Sequence, residues 1–218
     1  MIWEALAARW RRWRWQRSSI PARWRHLADF HSEGGVFGHV ASAMADEVVV
    51  VDCETSEFDK HRGELLSIAA VVIRGNCLQL SQALDLTICS SVTTHPDAVR
   101  VHFLRHEDRR DGVSSAEAIE RFLDFVGSRP IVGFYIEFDR AILNRYIEAL
   151  YGFSLPNRFI EVSEMYRRQK QRLHPELQPD MTFEGLARDL DIPVIDRHTA
   201  LGDAVTTGLM YLRLIRSV

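Results

Sequence analysis

Cysteine is scarce in this chain of 218 residues. There are three, Cys53, Cys77 and Cys89, and no Cys-x-x-Cys pair joins any two of them. An odd, scattered set suggests neither a disulfide framework nor a thiol zinc site. A reducing, cytoplasmic location suits it. No apolar run approaches the roughly 20 residues that span a bilayer. The N-terminus lacks the apolar stretch of a secretory signal. There are no internal repeats and no low-complexity tract. Positive charge is also short over most of the chain. Beyond residue 31 there are 20 basic residues against 28 acidic ones. Such a body speaks against a strong nonspecific grip on nucleic acid, but not against an enzyme whose metal ions screen its carboxylates.

Hydrophobic residues make up 46% of the chain, enough for one good-sized domain and a short appendage. Residues 1–31 read as the appendage, a basic Trp/Arg-rich helical extension. They hold seven arginines against Glu4 and Asp29, and four of the five tryptophans fall before residue 16. Ile2, Leu6, Trp10 and Trp13 lie near helical spacing, and Pro21 limits that helix. Three readings compete: docking on the chain's own domain or a protein partner, lying on an anionic membrane, or holding nucleic acid by charge and stacking. Docking on protein is preferred and the membrane is disfavoured. Residues 32–46, with Gly34, Gly35 and Gly38, read as a linker. The domain proper is expected over 47–218.

Four valines, Val48 to Val51, predict a strand buried on both faces, running from Glu47 to Cys53. Leu65–Arg74 and Cys77–Ile88 predict two more strands around the Gly75-Asn76 turn. Pro96 opens a short helix. A longer helix follows up to Val126, with Ser114 as cap and Glu117 three residues on. Then come a strand over 130–134, a helix over 138–150, a short strand at 159–162 and helices over 163–172, 182–190 and 201–215. A meander followed by βα units predicts an α/β domain, a mixed sheet flanked by helices.

Asp52 and Glu54 stand two residues apart on the first strand and so point to the same side. Like charges that close in a partly dry site repel unless a cation sits between them. The plainer alternative is a solvated acidic strand end. Asp139 opens the helix after the fourth strand, where the helix dipole alone would favour an acid. Asp203 falls among Ala200, Leu201, Ala204 and Val205, and an acid on a core-facing surface needs a partner or a metal.

These residues resemble the motifs of the DEDDh 3′–5′ exonucleases, the group that includes the proofreading epsilon subunit of bacterial DNA polymerase III. Asp52-Cys53-Glu54-Thr55 is similar to the first motif, Phe138-Asp139 to the second, and His198 with Asp203 to the third. The order is the family's, over about residues 47–215. The resemblance implies a ribonuclease H-like fold. Phe134-Tyr135 stands where many relatives have His-Asn, Thr55-Ser56-Glu57 where Thr-Thr-Gly is frequent, and His102-Phe103-Leu104 where His-Gly-Ile is frequent. None of these departures removes a carboxylate. They bear on the nucleotide pocket.

Four carboxylates without a thiol suit hard cations, two Mg²⁺ or Mn²⁺ ions, held by Asp52, Glu54, Asp139 and Asp203. Such a pair, about 3.5–4 Å apart, would clamp the scissile phosphate and steady the leaving 3′ oxygen. His198 is the candidate general base, since an imidazole titrates near about 6.5. Five positions before Asp203, it would lie roughly 140° round a helix, so it is expected on the loop before it. Thr55, Phe103, Leu104 and Phe138 are candidate substrate contacts, with core packing the alternative for Phe103 and Leu104. The expected activity is a metal-dependent 3′–5′ exonuclease on single-stranded DNA. Short RNA, or a nuclease-fold subunit that binds without turnover, are the alternatives.

Overall fold

The structure is a computed structural model that describes residues 21–24, 27 and 47–216, except 93, 103, 105, 106, 174 and 177. Strand β1 (Glu47–Thr55) runs through the centre of the sheet. It pairs antiparallel with β2 (Leu65–Arg74) and parallel with β5 (Ile131–Gly133), and β5 pairs parallel with β6 (Phe159–Glu161). On the other side of β2 lie β3 (Cys77–Leu78) and β4 (Leu84–Thr87), both antiparallel to it. The helices are α1 (Pro96–His102), α2 (Ser115–Val126), α3 (Ile136–Tyr151), α4 (Val162–Leu173), α5 (Phe183–Asp189) and α6 (Ala200–Arg216). The expected mixed sheet flanked by helices is what the chain forms.

Alternation along β1 divides the interior in two. Val49, Val51 and Cys53 join a core with α2 and α3, while Val48 and Val50 join a second core with α4, α5 and α6. Both faces of β1 are therefore covered, which is why its valines run without polar interruption. Among the described residues, no helix is long and apolar enough to cross a membrane.

Three expectations need correction. Residues 77–88 do not form one strand. A short 3-10 turn, Leu80–Gln82, separates β3 from β4. Pairing onto β2 runs Ile73 to Leu78 on one side of the turn and Ala70 to Leu84 on the other, so the turn takes up the residues that a continuous ladder would misalign. Strand β1 runs on past Cys53 to Thr55, with an irregularity between Glu54 and Thr55. Helix α3 starts at Ile136, ahead of Phe138, because the Glu161 carboxylate accepts from the N–H groups of Tyr135 (3.1 Å) and Ile136 (2.9 Å). The Ser114 cap forms as expected, its hydroxyl accepting from Glu117 N–H at 3.2 Å.

Most of the 1–31 extension and the whole 32–46 linker lie outside the described residues. Trp24 and Leu27 belong to the core shared by α2 and α3. The Trp24 indole donates to Asp124 at 2.9 Å and meets the Tyr151 ring edge-on at 4.5 Å, and Arg23 pairs with Glu120 and Asp124.

Candidate active site

The same alternation aims the acids. Asp52 and Glu54 continue the row of Val48 and Val50 and point toward α6. Cys53 points the other way, toward α3. Helix α6 lies close against β1 because Gly208 faces it: a Cβ there would stand 2.7 Å from a Leu78 methyl and 3.3 Å from a Val50 methyl. That approach carries Asp203, in the first turn of α6, up to the strand. Carboxylate oxygens of Asp52, Glu54 and Asp203 lie within 4.8 Å of one another.

Asp139 reaches the site from the opposite face. It is 5% exposed, and its carboxylate accepts from the Cys53 thiol and backbone N–H. It stands beside the group of three, close enough to raise the pKa of Asp52 and Glu54. Desolvation is the larger cause of those shifts. Burial first, then the neighbouring carboxylates, push Asp52 well above the usual range and Glu54 up to about 8. Burial raises Asp139 to about 7 against the pull of its hydrogen bonds. Asp203 is also raised by burial, although Arg197 opposes the shift. A cluster of oxygen donors that resists ionisation until a positive charge arrives fits a hard divalent cation.

His198 lies on the loop before α6, with φ 67°, and its N–H points at Asp203 (3.3 Å to Oδ2). Burial, then the adjacent Arg197, hold its pKa below the ordinary value, so the base form prevails near neutrality. The loop rests on Gly202, where a Cβ would meet the carbonyl oxygens of Ile195 and Asp196 at 2.4 Å. His198 and Leu104 line one cavity of 720 Å³. Thr55 is buried at the end of β1, and its hydroxyl donates to the Glu57 carbonyl at 2.9 Å. Phe138, in the first turn of α3, lines a neighbouring cavity with Phe58 and Tyr135. Phe103 lies outside the described residues.

Sequence reasoning singled out His102 only as part of a departure, and Arg197 and Glu161 not at all. His102 is 4% exposed. Its Nδ1 accepts from Leu104 N–H (3.0 Å), so Nε2 carries the proton and donates to the Thr55 carbonyl (3.2 Å). It ties the Leu104 segment to the strand that bears the acids. Arg197 pairs with Asp203 and had one signal, its place directly before His198. Glu161 carried none.

The sequence profile of an exonuclease family, that of RNase T, matches residues 49–211. The chain belongs to this exonuclease family. Its members of DEDDh type are 3′–5′ exonucleases, divalent-metal-dependent phosphodiester hydrolases, and the enzyme described here is one of them. Over 180 residues this exonuclease is 23% identical to the DNA polymerase III subunit epsilon of Aquifex aeolicus (strain VF5), covering 78% of this chain and 81% of that one. Over 158 residues it is 30% identical to the oligoribonuclease of Mycobacterium ulcerans (strain Agy99), covering 66% and 73%. Among solved structures, the zinc-ion-bound form of E. coli exonuclease I with single-stranded DNA superposes with a TM-score of 0.67 at 16% identity. The match takes in 79% of this exonuclease but only 41% of that larger chain.

Proposed function

We propose that this exonuclease removes nucleoside 5′-monophosphates from the 3′ end of single-stranded DNA, with Mg²⁺ or Mn²⁺ held by Asp52, Glu54 and Asp203 and bordered by Asp139. The observation that carries the reading is the convergence of three carboxylates, from a strand and a helix far apart in the chain, within 4.8 Å. When bound there, such ions would supply positive charge to the scissile phosphate and the leaving oxygen. His198, kept neutral, takes the proton of the attacking water. In this reading Leu104, held by His102, and Phe138 are the base contacts, and the Thr55 backbone meets the terminal nucleotide. A binding subunit without turnover would have no use for carboxylates so costly to ionise. Residues 47–218 are the catalytic unit in this reading, and residues 1–31 dock on protein, beginning with the Trp24 contact on α2 and α3. The Cys53 thiol, used as a donor to Asp139, suits a reducing cytoplasm.

A second reading is favoured by the oligoribonuclease likeness, 30% identical over 158 residues: the strand degraded is short RNA. Matched 5′-labelled DNA and RNA oligonucleotides, incubated with Mg²⁺ or Mn²⁺, separate the two. Stepwise shortening of DNA ahead of RNA is expected, and it should vanish in Asp52→Ala. Faster loss of a two-to-five-residue RNA would move the assignment to the second reading. No shortening of either strand would refute both.

A further inference from the structure

Among the described residues, Arg197 is the positive charge that meets the acids, and its setting is not that of a simple ion pair. Its Nη1 bonds Asp203 Oδ2. Its Nε donates to Glu184 at 2.7 Å, and its Cζ lies 4.1 Å from the centre of the Phe183 ring. The residues on either side, Asp196 (φ 37°) and His198 (φ 67°), are both in the left-handed region that L side chains rarely adopt. Two cavities open on this arginine. One, of 480 Å³, also exposes Asp52, Asp203 and Tyr135. The other, of 720 Å³, holds His198 and Leu104.

The three partners of the guanidinium fall into two kinds. Glu184 and Phe183 belong to α5 and have no part in the carboxylate group. Asp203 belongs to it. A cation entering among Asp52, Glu54 and Asp203 draws on the same carboxylate that Arg197 neutralises. A double charge competes with the single charge of the guanidinium for that carboxylate. The Nε bond and the contact with the Phe183 ring do not depend on Asp203 and hold the rest of the side chain in place. Only the outer nitrogens are released, at the mouth of the cleft that contains Asp52. A planar fork of N–H donors suits phosphate oxygens.

We infer that Arg197 has two stations: it neutralises Asp203 while the site is without metal, and it grips a phosphate of the substrate strand once a cation has displaced it. Metal loading and substrate grip are thereby coupled through one side chain, and each ligand helps the other. The phosphate half rests on the nuclease reading above, and the metal half does not.

The test reads both halves, on Arg197→Gln and Arg197→Lys. Mn²⁺ binding to the protein without nucleic acid is followed by the electron paramagnetic resonance of free Mn²⁺. Removing a competing cation should tighten Mn²⁺ in the Gln variant about fivefold, the size of a partly exposed ion pair. The Lys variant should stay near wild type. For a 5′-labelled oligonucleotide, KM should rise about tenfold in the Gln variant with a smaller change in kcat, the loss of one charge-assisted contact. The Lys variant, charged but without the fork, should fall between. Unchanged or weaker Mn²⁺ binding in the Gln variant overturns the metal half, and an unchanged KM in either variant overturns the phosphate half. Should the Gln variant not fold, the Lys variant still decides the phosphate half by its KM. Wild type that binds Mn²⁺ but cleaves no oligonucleotide would end the nuclease reading, while the Mn²⁺ comparison would still judge the competition at Asp203.

Discussion

Asp52, Cys53 and Glu54 are neighbours in sequence and opposites in space. The two acids face α6 and the thiol faces Asp139, so a tripeptide serves both sides of the sheet. Asp52 is surrounded by Asp139, Glu54 and Asp203 and costs stability where it stands. Asp52→Asn should therefore lower hydrolysis by at least about 10³-fold while leaving the metal-free protein as stable or more so, by about 1 kcal/mol. Urea melts beside a cleavage assay check the pair of effects. A loss of stability together with activity would mean that Asp52 is structural. At His198 the sign of the pH effect follows from burial and Arg197, which hold the imidazole below its usual pKa. The base form is present above that pKa, so at saturating metal the acid limb due to His198 should fall below about pH 6.5. In His198→Gln that limb should disappear and kcat should drop about 10²–10⁴-fold. A rate profile with an unchanged acid limb would remove His198 from the proton transfer.

At the scale of elements, α6 and the loop before it do most to assemble the site, and two glycines permit it. They differ in what a methyl group would strike. At Gly208 it meets the ends of Leu78 and Val50 side chains, which can shift. At Gly202 it meets carbonyl oxygens of Ile195 and Asp196, which cannot move without displacing Arg197 and His198. Gly208→Ala should cost about 1 kcal/mol and spare most activity, whereas Gly202→Ala should cost about 3 kcal/mol and most of the rate. Denaturant melts and initial rates test the contrast, which fails if the two variants behave alike. The elements legible in the sequence were those with a local signature. The valines marked β1, Ser114 marked the start of α2, and Thr182 marked that of α5, its hydroxyl accepting from Gly185 N–H at 3.1 Å. The illegible features depended on distant partners. The break at Leu80–Gln82 comes from register on β2, and the early start of α3 comes from Glu161 on β6. The motif positions of Asp52, Glu54 and Asp203 were readable. The bond from Cys53 to Asp139 and the hold of Glu184 on Arg197 were not, because no spacing rule links residues that meet only after folding.

Over the whole molecule, the two sets of carboxylates pull stability in opposite directions with pH. Glu47, Glu164 and Glu184 have pKa values lowered by arginine hydrogen bonds, so their contribution is present above the ordinary carboxylate range and lost in acid. The site acids do the reverse. Glu54 moves from 4.5 to about 8 and Asp139 from 3.8 to about 7 on folding. Between those limits the folded chain keeps protons that the unfolded chain has released, so stability falls as pH rises. The metal-free protein should thus melt at progressively lower temperature from pH 5 to pH 8 and level off above. A divalent cation binds only the folded, deprotonated site and adds about 2.7 kcal/mol at a hundredfold excess over its Kd. At pH 6 it must first displace protons, and at pH 8 it need not. The rise in Tm on adding Mn²⁺ should therefore be larger at pH 8 than at pH 6, and Glu54→Gln should flatten the metal-free curve while shrinking the Mn²⁺ effect. Melting curves of wild type and Glu54→Gln at the two pH values, with Mn²⁺ and with chelator, measure all of this. A Tm indifferent to Mn²⁺ at pH 8 would show that the converging acids hold no cation.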